Sequence, residues 1–136
     1  MTHFIYLHGL ASGPNSKKAS AFKKVFEQHN LPLTVPDLEC GGFENLTISK
    51  QMKILESLFS LNSHGRYGII GSSLGGFLAA LVAEINISVS AIYLMAPAFD
   101  FLNRWRGKLT YDHKTNKFPG FIKVFHYRYN SERLLN

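Results

Sequence analysis

The run Phe4-Ile5-Tyr6-Leu7 is continuously apolar and stops at His8-Gly9. A short apolar run bounded by glycine predicts a buried strand. Residues 10–15, with Gly13-Pro14 among them, are rich in breakers and predict a loop. Asn15 or Ser16 then caps a helix running to about Asn30, in which Ala19, Phe22, Val25 and Phe26 recur at helical spacing. Residues 31–38 predict a second strand, interrupted by Pro32 and Pro36, as befits strand ends or an exposed edge. After a Cys40-Gly41-Gly42 loop, Ile48, Met52, Leu55, Leu58 and Phe59 mark one side of a helix over residues 48–61, with Gly65 as its C-cap. Residues 67–70 form a third strand, 74–85 a third helix and 90–95 a fourth strand.

Strands that alternate with helices in this way predict an α/β fold, a mainly parallel sheet covered by helices on both faces. Parallel strands are buried on both sides, so residues 92–95 should be as enclosed as residues 4–7. The pattern changes after Asp100. Residues 108–120 are polar and turn-like, while 121–127 and 132–135 predict a small hairpin around Tyr129-Asn130-Ser131. The expectation is one domain over 1–136, with a β-α core to residue 100 and a basic cap-like or hairpin segment over 101–136.

Composition changes this picture little. The chain has 136 residues, 46% hydrophobic and 18% charged, which is globular rather than disordered. No apolar run approaches the roughly 20 residues that cross a bilayer, and the first residues lack the pattern of a secretory leader. Cys40 is the only cysteine, so no intrachain disulfide forms and a reduced, cytoplasmic setting is expected. Charge is more informative. Residues 1–103 balance seven basic against seven acidic side chains, so the whole excess of +6 falls in residues 104–136. Such a tail is read as a solvated face, or as a segment whose acidic partners lie elsewhere in the fold. It carries no nucleic-acid motif, and binding to an anionic surface ranks last among the readings.

The chemistry concentrates at Gly71-Ser72-Ser73-Leu74-Gly75, which fits G-x-S-x-G. An apolar strand precedes it and a helix pattern follows, the context this motif requires. The nucleophile of such a turn is strained and exposed, so its neighbours must lack side chains. The register selects Ser73 rather than Ser72 as the nucleophile. The competing reading is a phosphate-cradling turn, but no Lys-Ser/Thr pair follows the glycines. His8-Gly9 ends the first strand, and the loop beyond it supplies one oxyanion donor in hydrolases of this kind. The donors would be the backbone N–H groups of Leu10 and Leu74. His8, Gly9, Gly71, Ser72 and Gly75 support them. Ser12 and Ser16 lie in the loop above the strands, where a turn or capping role is favoured over contact with substrate.

These segments resemble a known family. Tyr6-Leu7-His8-Gly9, Ser12-Gly13-Pro14 and Ser16-Lys17-Lys18-Ala19-Ser20 are similar to the opening of the small bacterial YqiA/YcfP-type α/β-hydrolases. Pro36-Asp37-Leu38, Leu46-Thr47-Ile48-Ser49, residues 70–80, Met95-Ala96-Pro97-Ala98-Phe99 and residues 120–127 continue the likeness in order. The resemblance implies a partial α/β-hydrolase fold and hydrolysis of carboxylic esters through an acyl-serine. It implies no metal and no organic cofactor.

A serine hydrolase also needs a base and a carboxylate to orient it. In this fold they follow the serine, acid first. The chain stops at Asn136, before the strands that carry them in the family, so the expectation is the N-terminal part of such a hydrolase without its last strands. Within the chain, Asp100 is the candidate acid, and His113 and His126 are the candidate bases. Each also has an ordinary role open to it: capping for Asp100, a surface loop for His113, strand packing for His126. The histidines show no metal-ligand spacing. A sheet ending at its fourth strand leaves an edge that the basic tail or a second copy of the chain could cover. The alternative function is a non-catalytic domain that keeps the fold and binds a ligand or partner.

Overall fold

The structure is a computed structural model that describes residues 1–106, 114 and 122–135. Eleven elements follow one another along them. Strand β1 (Thr2–Leu7) leads to helix α1 (Lys17–Gln28), and strand β2 (Leu33–Thr34) follows. A 3-10 turn (Phe43–Asn45) precedes helix α2 (Ile48–Ser60) and strand β3 (Arg66–Ser72). Helix α3 (Leu74–Ile85), strand β4 (Val89–Met95) and a short helix α4 (Phe101–Arg106) complete the core. Strands β5 (Ile122–His126) and β6 (Ser131–Leu135) pair antiparallel as a separate hairpin.

The four core strands form one parallel sheet in the order β2-β1-β3-β4. Successive side chains of a strand point to opposite faces, and the two cores follow from that alternation. Ile5, Leu7, Tyr67 and Ile69 pack with Leu55 and Phe59 of α2 and Leu78, Ala79 and Val82 of α3. Tyr6 and Ile70 face the other way, against Ala19, Phe22 and Phe26 of α1. The sheet thus has α1 on one face and α2 and α3 on the other, the expected three layers.

Helix starts follow their caps. The Ser16 hydroxyl accepts from the Ala19 N–H, and the Thr47 hydroxyl accepts from the Lys50 N–H. The second strand is shorter than expected. Only Leu33–Thr34 pairs, because Pro32 and Pro36 bracket it and cannot donate to the ladder. Helix α2 ends at Leu61 in right-handed conformation rather than at a glycine cap. Gly65 instead leaves room for the His3 ring, which a Cβ there would meet at 2.9 Å. The largest departure is β4. It is the edge of the sheet, and Ile92 and Tyr93 are 41% and 60% exposed on its two faces rather than buried. The hairpin expected near the C-terminus is present as β5 and β6. His113 lies outside the described residues, as does most of the polar stretch 107–121.

Candidate functional site

The connections from β1 and from β3 leave the sheet toward opposite faces, since α1 and α3 lie on opposite sides. Ligands of open α/β sheets bind at such switch points, outside the carboxyl ends of the strands. A cleft of about 1000 Å³ opens there, lined by Gly9 and Leu10 after β1 and by Ser72 and Ser73 at the end of β3.

Ser73 is the single residue between β3 and α3, and it is exposed. Its backbone has φ 54° and ψ −117°. A non-glycine residue in such a conformation costs about 1–3 kcal/mol and persists only where its surroundings hold it. Four hydrogen bonds do so. The Ser73 N–H donates to the Met95 carbonyl at 3.0 Å, and its own carbonyl accepts from Gly76, Phe77 and Ala98 at 3.0, 3.2 and 3.0 Å. The flanking glycines are needed for close approach. A Cβ at Gly71 would lie 2.4 Å from the Gly75 carbonyl oxygen, and one at Gly75 would lie 2.1 Å from that of Leu7. Gly9 sits opposite, where a Cβ would come within 3.4 Å of the Ser73 Cβ. Leu74 opens α3, and an N–H in a first helical turn has no acceptor within its own helix.

His8 is buried and both ring nitrogens are engaged. Nε2 accepts from the Leu38 N–H at 3.0 Å, which places the proton on Nδ1, facing the Gly9 carbonyl at 2.9 Å. Burial pushes its pKa below the usual histidine value. His8 therefore ties the loop after β1 to the segment after β2. Ser72 lies at the cleft floor with the Lys18 ammonium donating to its hydroxyl at 3.2 Å. Tyr6 also lines the cleft, and burial raises its phenol pKa.

The hairpin closes the other side of the cleft through Tyr127, Arg128 and Asn130. The Arg128 guanidinium grips Asp37 with two bonds of 3.0 Å and reaches Glu39 at 3.2 Å. That contact holds the Asp37 carboxyl below the usual carboxylate range. The Tyr127 N–H donates to the Ala11 carbonyl at 2.9 Å. His126 is fully buried. Its Nε2 pairs with Glu39, and its ring packs between Phe43 and Tyr129. The residues predicted as base and acid do not converge on Ser73 among the described residues. His126 faces Glu39 and is absent from the cleft lining, and His113 is not described. Asp100 precedes α4, where its carboxylate accepts from the Asn103 amide at 2.6 Å. Among the described residues no group of His, Cys, Asp and Glu converges to hold a metal, and no helix is long and apolar enough to cross a membrane.

Sequence reasoning picked out Ser73, Leu10, Leu74 and the glycines, but not Lys18, Asp37, Glu39 or Arg128 as neighbours of the site. The clustering of Lys17 and Lys18 right after the loop was the one local signal. The Arg128 contact with Asp37 spans 91 residues and leaves no local pattern.

Three solved structures share this fold. A candidate hydrolase of Agrobacterium vitis S4 superposes with a TM-score of 0.77 at 19% identity, covering 99% of this chain and 57% of that one. Est1E of Butyrivibrio proteoclasticus, solved with ferulic acid bound, gives 0.79 at 16% identity, with coverages of 100% and 57%. A candidate hydrolase of the α/β superfamily from Xanthomonas campestris pv. campestris gives 0.58 at 28% identity, with coverages of 70% and 58%. The fold is that of the α/β-hydrolases, and this chain spans 57–58% of the length of these three structures. A family model described as "Uncharacterised protein family (UPF0227)" matches residues 3–130. The match runs over nearly the whole chain, which therefore belongs to the UPF0227 family, the YqiA-type group that its motifs resemble.

Proposed function

We propose that this chain is a serine hydrolase, a carboxylesterase acting on small acyl esters through an acyl-serine at Ser73. One observation carries the reading: Ser73 is exposed in a strained turn, held by four backbone hydrogen bonds, where β1 and β3 open into the cleft. In this account the Ser73 Oγ attacks the ester carbonyl carbon. The carbonyl oxygen becomes an oxyanion received by the Leu10 and Leu74 N–H groups. Collapse of the tetrahedral intermediate expels the alcohol and leaves the acyl-serine, which water then hydrolyses. The base that takes the serine proton and the acid that orients it follow the nucleophile in this fold. Of the candidates for these roles, His126 is held by Glu39 and Asp100 by Asn103, neither lining the cleft, and His113 lies outside the described residues. The single cysteine and the balanced charge of residues 1–103 support a cytoplasmic setting and a small-molecule substrate rather than nucleic acid.

The test is pre-steady-state release of 4-nitrophenol from 4-nitrophenyl butyrate. A burst stoichiometric with the chain in the wild type, absent in Ser73→Ala, is expected. Equal traces from the two proteins would contradict the proposal. A second reading, a hydrolase fold that only binds, draws on one feature. Among the described residues no histidine lines the cleft, and His8 is buried with both nitrogens engaged. It predicts no burst from a chain with a fully folded circular-dichroism spectrum.

A further inference from the structure

Ser73 does not stand in an electrically neutral cleft. The walls carry Lys17 and Lys18 from the first turn of α1, Arg128 from the hairpin, and one carboxylate, Asp37. Arg128 is taken up by Asp37, through two 3.0 Å bonds, and by Glu39 at 3.2 Å, a buried carboxylate behind the wall that also pairs with His126. The two lysines remain. Among the described residues neither forms an ion pair. Both lysines are exposed to solvent, but Lys18 reaches back to the cleft. Its Nζ donates to the hydroxyl of Ser72, a residue only 5% exposed and 54 positions away in the sequence. The ammonium is thereby fixed against the residue that precedes Ser73. A hydroxyl accepts the hydrogen bond without neutralising the charge, and an ammonium has three donors, of which Ser72 takes one.

We propose that the cleft selects esters that carry an anionic group, with Lys18, seconded by Lys17, receiving the anion beside the reacting carbonyl. This rests on the reading of Ser73 as the nucleophile and names the substrate class that the reading leaves open. Uncancelled charge of one sign in a concave site concentrates counter-charged ligands. The first-turn N–H groups of α1 add potential of the same sign. A neutral acyl chain gains nothing from two ammonium groups, whereas a carboxylate or a phosphate monoester gains a charge-assisted hydrogen bond. Lysine acts as a compact point charge, so either anion satisfies it.

The experiment measures binding without turnover, by calorimetry on the Ser73→Ala chain. The probes are monomethyl adipate and its neutral counterpart, dimethyl adipate. The monoester is expected to bind about tenfold more tightly, as two partly screened ion pairs would give. In the Lys17→Met/Lys18→Met double variant that ratio falls to about one, and Lys18→Arg retains most of it. Thermal melts confirm that each variant is folded. Displacement of the monoester by acetate, by inorganic phosphate or by both supports the site and tells which anion it prefers; displacement by neither overturns it. Equal affinity for the two esters in the Ser73→Ala chain, or equal weakening of both in the double variant, would also overturn it. A 4-nitrophenol burst without anion preference refutes this inference alone. Anion preference without a burst refutes the esterase reading and leaves the anion site standing.

Discussion

At the residue scale, the turn at Ser73 is held by what its neighbours lack. Gly75→Ala would push a methyl group to 2.1 Å from a β1 carbonyl oxygen, and neither strand nor helix can retreat without losing its packing. Equilibrium urea unfolding should report a loss of about 3 kcal/mol or more. Gly41→Ala is the contrast. Nothing lies within 4 Å of its added Cβ, and only the positive φ of 81° opposes it, so a loss of about 1–2 kcal/mol is expected. His8 makes a pH-dependent contribution. Its folded pKa is depressed below 6.5, so the unfolded chain binds its proton first as pH falls. The stabilisation is complete above pH 6.5 and is lost progressively below it. His8→Ala, which strands the Leu38 N–H, should cost about 1–3 kcal/mol at pH 8. The difference between variant and wild type should shrink as denaturation is repeated toward pH 5. At this scale the tight, strained turn at Ser73 was legible from five consecutive residues. The role of Lys18 was not, because its partner is Ser72, distant in sequence and joined to it only by the fold.

At the scale of elements, the hairpin of β5 and β6 is the least local feature, and it is docked by polar contacts. Arg128 reaches Asp37 and Glu39, His126 pairs with Glu39, and the Tyr127 N–H meets the Ala11 carbonyl. The excess basic charge near the C-terminus thus finds part of its acidic partnership in the segment after β2. Asp37 is half exposed, so solvent screens its ion pair and the global effect of losing it is small. Arg128→Ala also takes a partner from the buried Glu39, which keeps His126, so unfolding stability should fall by about 1–3 kcal/mol. The Tyr127 amide should exchange with deuterium at least about tenfold faster, because docking is a local equilibrium. The Asp37 carboxyl titrates below its ordinary 3.8, so its contribution is complete above that value and the clamp is released only as pH falls on through the lower pKa of the folded chain. Hydrophobic periodicity sufficed for β1, α1, α2, β3 and α3, whose apolar faces meet the two cores. It overextended β2, where proline chemistry limits pairing to Leu33 and Thr34. It also could not say where the hairpin docks, since polar pairing has no period.

At the scale of the molecule, the alternation of strands and helices was enough to anticipate three layers and a parallel sheet. For β4 the sequence supported two expectations that conflict, a buried apolar run and the open edge of a four-stranded sheet, and the second holds. An apolar strand reads as interior, yet here it forms the edge with Ile92 and Tyr93 in contact with solvent. Parallel edges of this kind recruit further strands, so self-association is expected. Sedimentation velocity should show a concentration-dependent shift that a lysine at Ile92 suppresses; a single monomer boundary at every concentration would count against it. The proposed esterase chemistry depends on Ser73 being a reactive nucleophile. Its most direct test is incubation of the chain with a fluorophosphonate, followed by proteolysis and mass spectrometry. One adduct on Ser73, abolished in Ser73→Ala, is the predicted result. An unlabelled Ser73 in a folded chain, or an adduct confined to another residue, would contradict it.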